Sequence, residues 1–225
     1  MAKPKRIYGC TECGATFPKW AGQCGECGVW NTLVETVVES GAAAPPSGRT
    51  GWTGQQAQLK TLAEVSIEEL PRFSTASGEL DRVLGGGLVD GSVVLIGGDP
   101  GIGKSTILLQ TLCHMATRMP ALYVTGEESQ QQVAMRARRL GLPQDKLKVM
   151  TETCIESIIA TAKLEKPKVM VIDSIQTIFT EQLQSAPGGV SQVRESAALL
   201  VRYAKSSGTA IFLVGHVTKE GALAG

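Results

Sequence analysis

The sequence lacks three features that would place a protein in a membrane, outside the cell or on nucleic acid through its overall charge. It has no apolar run of about 18 residues or more, so we expect no membrane span. Its basic N-terminus is not followed by an apolar stretch, so we expect no secretory signal peptide and a cytoplasmic protein. With 22 Lys and Arg against 21 Asp and Glu, the formal net charge is only +1, which excludes a broad basic surface field.

The cysteines do not follow the pattern of a secreted disulfide framework, because no secretory signal accompanies the six of them. Four lie in two pairs spaced C-x2-C-x10-C-x2-C: Cys10, Cys13, Cys24 and Cys27. Each pair is followed by a glycine, and four thiolates at this spacing fit a tetrahedral, structural Zn²⁺ site. A redox dithiol is the alternative, although it would need only one pair. A module of this size buries little core, so we expect it to fold only with metal.

Four aromatic residues of the same module allow two interpretations. They either stack on nucleic-acid bases or form the small core of the module itself. These residues are Tyr8, Phe17, Trp20 and Trp30.

Composition divides the chain into three parts. Residues 1–35 form the predicted zinc finger, and residues 36–60, rich in Gly, Ala, Pro, Ser and Gln, form a predicted flexible linker. Residues 61–225 alternate apolar runs with helical periodicity, which predicts an α/β domain with a mostly parallel sheet covered on both faces. The predicted strands are 92–98, 121–126, 147–151, 168–174 and 210–216. The predicted helices are 104–118, 129–141, 153–165 and 190–207.

Residues 97–106, GGDPGIGKST, match the phosphate-loop pattern G-x-x-x-x-G-K-[ST] between a predicted strand and a predicted helix. The glycines let backbone N–H groups turn toward a phosphate, and the helix N-terminus adds its dipole. Lys104 supplies a cation for the β and γ oxygens, and the Ser105 hydroxyl suits Mg²⁺. An ordinary glycine-rich turn is the alternative. The predicted ATP-binding residues are Gly98, Asp99, Pro100, Gly101, Ile102, Gly103, Lys104, Ser105 and Thr106.

Two acidic residues follow predicted strands. Asp173 ends the apolar run VMVID and is predicted to lie on the Mg²⁺ side of the site. Many ATPases place a glutamate directly after this aspartate, but here the next residue is Ser174, so the base must come from elsewhere. Glu127 is the candidate, because the ends of parallel strands open toward one crevice. Alternatively, Glu127 and Glu128 only place charge at the first turn of the next helix.

Together these segments resemble the bacterial RadA (Sms) family of DNA repair proteins, whose core has the RecA-type ATPase fold shared with KaiC. Besides the four-cysteine finger, the resemblance rests on GELDRVLGGGLVDGSVVLIGGDPGIGKST, YVTGEES, VMVIDSIQT, SAPGGVSQVRE and FLVGHVTKEGALAG. It covers nearly the whole chain.

The resemblance implies a DNA-dependent ATPase that processes recombination intermediates by promoting strand exchange and branch migration. It implies Zn²⁺, Mg²⁺ and ATP as cofactors. The implied partners are single-stranded and branched DNA, RecA recombinase and further copies of the chain in a hexamer. Glu127 matches the catalytic glutamate of RecA-type proteins, acting with Lys104. His216 lies where these proteins have a polar residue that senses the γ-phosphate; a histidine bonded only to protein is the alternative.

The segments 180–195 and 218–225 match the two loops that face DNA in RecA-like rings, which makes Arg194 and Lys219 the predicted phosphate contacts. The family pattern continues beyond residue 225, so we expect a fragment with an incomplete ATPase domain. Two other functions stay open at this point. One is a RecA-like signalling ATPase, as in KaiC, and the other is a non-hydrolysing interaction module that ATP switches.

Overall fold

A computed structural model describes residues 5–11, 16–25, 28–38, 61 and 71–216. The chain divides into two compact units, Met1–Arg49 and Thr50–Gly225. Most of the predicted linker, residues 39–60, lies outside the described residues. No helix in the described ranges is long and apolar enough to cross a membrane.

The N-terminal unit contains a three-stranded antiparallel sheet. Its strands are β1 (Lys5–Cys10), β2 (Thr16–Phe17) and β3 (Leu33–Val38), in the order β2-β1-β3. The last strand runs three residues past position 35, where the finger is predicted to end. Cys10, Cys24 and Leu33 form a small buried cluster against which Tyr8 and Phe17 pack. Two of the four aromatic residues therefore belong to the core of the unit.

The second unit contains a five-stranded parallel sheet, as predicted. Its strands are β4 (Val93–Gly98), β5 (Ala121–Thr125), β6 (Lys148–Thr151), β7 (Val169–Asp173) and β8 (Ala210–His216). They run in the order β4-β8-β7-β5-β6. All neighbouring strands are parallel, so each connection must cross over, and helices make these crossovers.

The helices are α1 (Gly78–Val83), α2 (Lys104–Ala116), α3 (Gln130–Arg139), α4 (Ile155–Glu165) and α5 (Val190–Ser207). A 3-10 helix, Ile175–Thr177, follows β7. The four predicted helices are observed with ends within two residues of the prediction, whereas α1 and the 3-10 helix are additional. The Ser129 side chain and Gln132 form a capping box at the start of α3.

The sheet separates two apolar cores. Consecutive residues of a strand point to opposite faces, so alternate residues of β7 enter different cores. Val169 and Val171 pack in the cluster that contains the buried leucines of α2, and Met170 and Ile172 pack in the cluster that contains the isoleucines of α4. By this alternation Asp173 lies on the same face as α2, the helix that begins at the phosphate loop.

Candidate active site

The carboxyl ends of four adjacent strands bring the candidate site residues to one edge of the sheet. Gly98, at the end of β4, is in register with His216 at the end of β8. Thr125, at the end of β5, is in register with Asp173 at the end of β7. Since β8 and β7 are neighbours, these positions follow one another along the edge. Ligands of open parallel sheets bind outside this edge.

The phosphate loop leaves β4 and turns into α2 through glycines. Gly103, the residue that caps α2, has a φ of 101°, which an L side chain rarely adopts, and no side chain in the described residues caps this helix. A Cβ at Gly98 would come within 2.4 Å of the Ile102 Cδ1 atom. The loop therefore presents backbone to its concave side and leaves the first N–H groups of α2 for an anion.

Lys104 is held inside this loop. Its ammonium donates to the carbonyl oxygens of Gly98 at 2.6 Å and Asp99 at 2.7 Å, and the residue is only 7% exposed. Ser105 follows in the first turn of α2 and is half-buried. These donors and this hydroxyl fit a polyphosphate with its divalent cation.

Glu127 lies between two donors from other strands. Its Oε1 atom accepts a hydrogen bond from the Ser174 hydroxyl at 2.5 Å and lies 3.2 Å from His216 Nε2. The Thr125 hydroxyl accepts from the backbone N–H groups of Glu127 and Glu128, at 3.3 and 3.1 Å, which fixes the turn after β5. The structure thus brings Glu127 and His216 together, 89 positions apart in the chain.

The surroundings of Glu127 favour its ionised form. Burial raises the pKa of its carboxyl group, but the hydrogen bonds from Ser174 and His216 and the positive charges of His216 and Lys104 outweigh burial. The net pKa of Glu127 is therefore lower than its ordinary value. A carboxylate that stays ionised at neutral pH is able to accept a proton.

Glu128 has a different environment from its neighbour. Its Oε2 atom lies 2.6 Å from Arg136 Nη2 on α3, so its charge is paired. Both glutamates precede Ser129, the N-cap of α3, and the first turn of this helix contains no acidic residue. Both carboxylates make specific contacts instead. Only Glu128 is paired with a guanidinium, so the geometry favours Glu127 as the group available to a ligand.

Asp173 is buried, 4% exposed, and its Oδ2 atom accepts a hydrogen bond of 2.5 Å from the Tyr123 hydroxyl. Arg136 Nη2 lies 3.5 Å from the same hydroxyl oxygen. Sequence analysis missed Tyr123 and Arg136 and noted Ser174 only because it is not a glutamate. The only sequence signal for these three residues is that they lie near the motif residues Asp173 and Glu127 in the chain.

Of the two predicted DNA contacts, one lies on α5 and the other lies outside the described residues. Arg194 is exposed on α5, and Lys219 is not among the residues described. The segment between the 3-10 helix and α5 is fixed by the buried Gln192. Its amide accepts from the Thr180 N–H at 2.8 Å and donates to the carbonyls of Leu183 and Ser185 at 3.2 and 2.9 Å.

Two of the four predicted zinc ligands, Cys10 and Cys24, are described, and both are buried in the same small cluster. Gly28 has a φ of 73°, and its N–H donates to the Cys24 carbonyl at 2.9 Å, so the chain turns tightly after the second cysteine pair. This turn fits a pair of metal-binding thiolates. Cys13 and Cys27 lie outside the described residues. Trp20 and Trp30 are 59% and 66% exposed, so they do not belong to the core.

Comparisons with known proteins agree with both units. Residues 69–222 match the family described as AAA domain, which is more than half of the chain. Residues 8–35 match the family described as Rubredoxin metal binding domain. The predicted resemblance to RadA proteins is confirmed at high identity. The relatives include the DNA repair protein RadA of Pseudomonas aeruginosa, 85% identical over 225 residues, and that of Escherichia coli, 57% identical over 232 residues.

Each of these matches covers 100% of this chain but only 49% and 50% of the relative, so the chain spans about half their length. Among solved structures, a KaiC-like protein from Pyrococcus horikoshii has a similar fold. Its TM-score is 0.57 at 21% identity, and the match covers 68% of this chain and 74% of the other. The RecA-like architecture predicted from the sequence is confirmed.

Proposed function

Because this chain belongs to the AAA domain family and is similar along its whole length to DNA repair proteins RadA, we propose that it is an ATP hydrolase that acts on DNA in recombinational repair. Its substrates in this proposal are recombination intermediates, on which ATP turnover promotes strand exchange and branch migration. DNA stimulates this turnover.

One observation carries the hydrolytic part of the proposal. The Glu127 carboxylate is held by Ser174 and His216 at the sheet edge that the phosphate loop also reaches. In the proposed reaction, Glu127 takes a proton from a water molecule whose oxygen attacks the γ-phosphorus. The bond from the γ-phosphorus to the bridging oxygen breaks, and ADP leaves. Lys104 neutralises charge on the phosphate oxygens, and His216 responds to the γ-phosphate.

The remaining residues bind cofactors. Ser105 and Asp173 would hold Mg²⁺, which neutralises phosphate charge when it is bound. In the N-terminal unit, Zn²⁺ has a structural role in this proposal. Its ligands are Cys10, Cys13, Cys24 and Cys27.

The DNA partners proposed are single-stranded and branched DNA, with Arg194 and Lys219 as phosphate contacts. The working assembly is a cytoplasmic homo-hexamer that cooperates with RecA recombinase. The exposed position of Arg194 on α5 is compatible with a contact to DNA. The similarity to DNA repair proteins RadA supports a DNA partner, and the hexamer and RecA recombinase are further parts of the proposal.

The decisive experiment measures ATP turnover by this chain with and without single-stranded DNA. We expect turnover that DNA stimulates, that Lys104→Ala abolishes together with nucleotide binding, and that Glu127→Gln abolishes while nucleotide still binds. Turnover that ignores DNA would favour a signalling ATPase. Nucleotide binding without any turnover would favour an interaction module that ATP switches. Either of these results contradicts the proposal.

A further inference from the structure

A row of four polar side chains runs from the surface of the second unit to Asp173. Glu128 pairs with Arg136 at 2.6 Å, Arg136 Nη2 lies 3.5 Å from the Tyr123 oxygen, and the Tyr123 hydroxyl lies 2.5 Å from Asp173 Oδ2. The row crosses from α3 to β5 and then to β7. Its last member is the carboxylate predicted to lie on the Mg²⁺ side of the nucleotide.

The direction of the hydrogen bonds follows from the chemistry of the groups. A guanidinium has only donors, so the Tyr123 oxygen accepts from Arg136. An ionised carboxylate has only acceptors, so the proton of Tyr123 is directed at Asp173. Glu128 keeps Arg136 in place at the other end of the row. Each side chain in the row thus fixes the orientation of the next side chain.

The hydroxyl of Tyr123 is not needed to fill the core. Tyr123 is fully buried in the cluster of α2 and α3, where phenylalanine would supply the same ring. A hydroxyl removed from water destabilises the fold unless it is hydrogen-bonded, and here its partner is the buried Asp173.

We propose that Tyr123 is a positioning residue: its hydroxyl fixes the Asp173 carboxylate through Oδ2 and leaves Oδ1 for the cation that accompanies the nucleotide. The proposal rests on the proposed function, because it assigns Asp173 to that cation. It predicts that removing this one hydroxyl, with no change in the charge of the site, weakens the binding of Mg²⁺ together with the nucleotide. Partners that orient a metal-binding carboxylate typically change metal affinity by about tenfold or more.

The test compares Tyr123→Phe with Tyr203→Phe. The control makes the same change at another buried tyrosine, in the core on the opposite face of the sheet. Binding of a fluorescent ATP analogue is measured by anisotropy while Mg²⁺ is increased, and again in EDTA. We expect Tyr123→Phe to raise the half-saturating Mg²⁺ concentration about tenfold. Affinity in EDTA should be unchanged, and Tyr203→Phe should match the wild type.

A second comparison connects the effect to the aspartate. In the Asp173→Asn background, Tyr123→Phe should produce no further change in the Mg²⁺ titration, because the carboxylate that it positions is gone. An equal shift with and without Asp173→Asn would overturn the proposal. An unchanged Mg²⁺ titration for Tyr123→Phe would overturn it as well, although ATP binding by the wild type would leave the proposed function intact.

If circular dichroism shows that Tyr123→Phe does not fold, Arg136→Lys replaces it. This variant keeps a positive charge beside Glu128 but loses the planar donor at Tyr123. A smaller rise in the half-saturating Mg²⁺ concentration is expected, and no rise would overturn the proposal. A wild-type chain that binds no nucleotide at any Mg²⁺ concentration would overturn both the proposed function and this inference.

Discussion

Gly126, the residue before Glu127, has a steric role that a single methyl group tests. A Cβ at this position would lie 2.2 Å from Thr177 Oγ1, 2.8 Å from Thr177 Cβ and 2.9 Å from Thr153 Cγ2. The first distance is more than 1 Å shorter than an ordinary contact of 3.4 Å. Rotation of Thr177 does not relieve the overlap, because its Cβ is also too close and its hydroxyl donates to the Ser174 carbonyl at 2.8 Å.

We therefore expect Gly126→Ala to displace the 3-10 helix from the turn after β5. Overpacking of a well-filled site costs about 1–3 kcal/mol. For a chain of this size, each kcal/mol lowers the melting temperature by about 2–4 °C, which gives a decrease of about 2–12 °C. The displacement also moves Ser174 away from Glu127, so ATP turnover should fall more than nucleotide affinity.

Differential scanning calorimetry of the whole chain measures the first effect, and steady-state turnover measures the second. Gly78→Ala is the matched control, because no heavy atom lies within 4 Å of the added methyl and its φ is not in the left-handed region. That variant should melt with the wild type or slightly above it. A Gly126→Ala chain that melts with the wild type would refute the steric argument.

Three further predictions concern other parts of the molecule. Ser174→Ala removes a hydrogen-bond donor to ionised Glu127 and so raises the pKa of Glu127. Because the ionised form exists above that pKa, the acidic limb of the pH profile of kcat should move to higher pH. The control Ser206→Ala, on α5, should leave this limb in place. Gln192→Leu leaves buried backbone groups without partners, so we expect a loss of about 1–3 kcal/mol in urea unfolding and faster hydrogen exchange at 181–189. Removing zinc with a chelator should unfold the four-cysteine unit, seen as faster hydrogen exchange of the backbone amides that pair β1 with β3, and leave the calorimetric transition of the ATPase unit unchanged. An unchanged pH profile, unchanged exchange at 181–189 or unchanged exchange in β1 and β3 would contradict the respective prediction.

The local parts of the fold and site are predictable from the sequence. β5, β7 and β8 are buried apolar runs, and the helices between the parallel strands are at least ten residues long, so hydrophobic pattern and periodicity find them. The phosphate loop, Asp173 and Glu127 are predictable because each lies at the end of an apolar strand or within two residues of it. By contrast, α1 has only six residues and none of them is buried, so it gives little periodic signal.

Contacts between distant segments could not be predicted in the same way. Tyr123 and Asp173 are 50 positions apart, and Glu127 and Ser174 are 47 positions apart. Which strand neighbours which follows from the crossovers, and local pattern carries no information about them. A tyrosine within an apolar strand is typical of a packing residue, and only the pairing of β5 with β7 gives its hydroxyl a second role.

The pairing of β5 with β7 also restricts how this protein can change over evolutionary time. Tyr123 and Asp173 both lie on the face toward α2, and every second residue of each strand shares that face. Inserting or deleting one residue within either strand turns one of the two side chains to the opposite face and separates them. Descendants that keep this pair therefore tolerate a change of length inside these strands less readily than one in a loop away from the site. Length variation among related sequences should accordingly be excluded from 121–125 and 169–173.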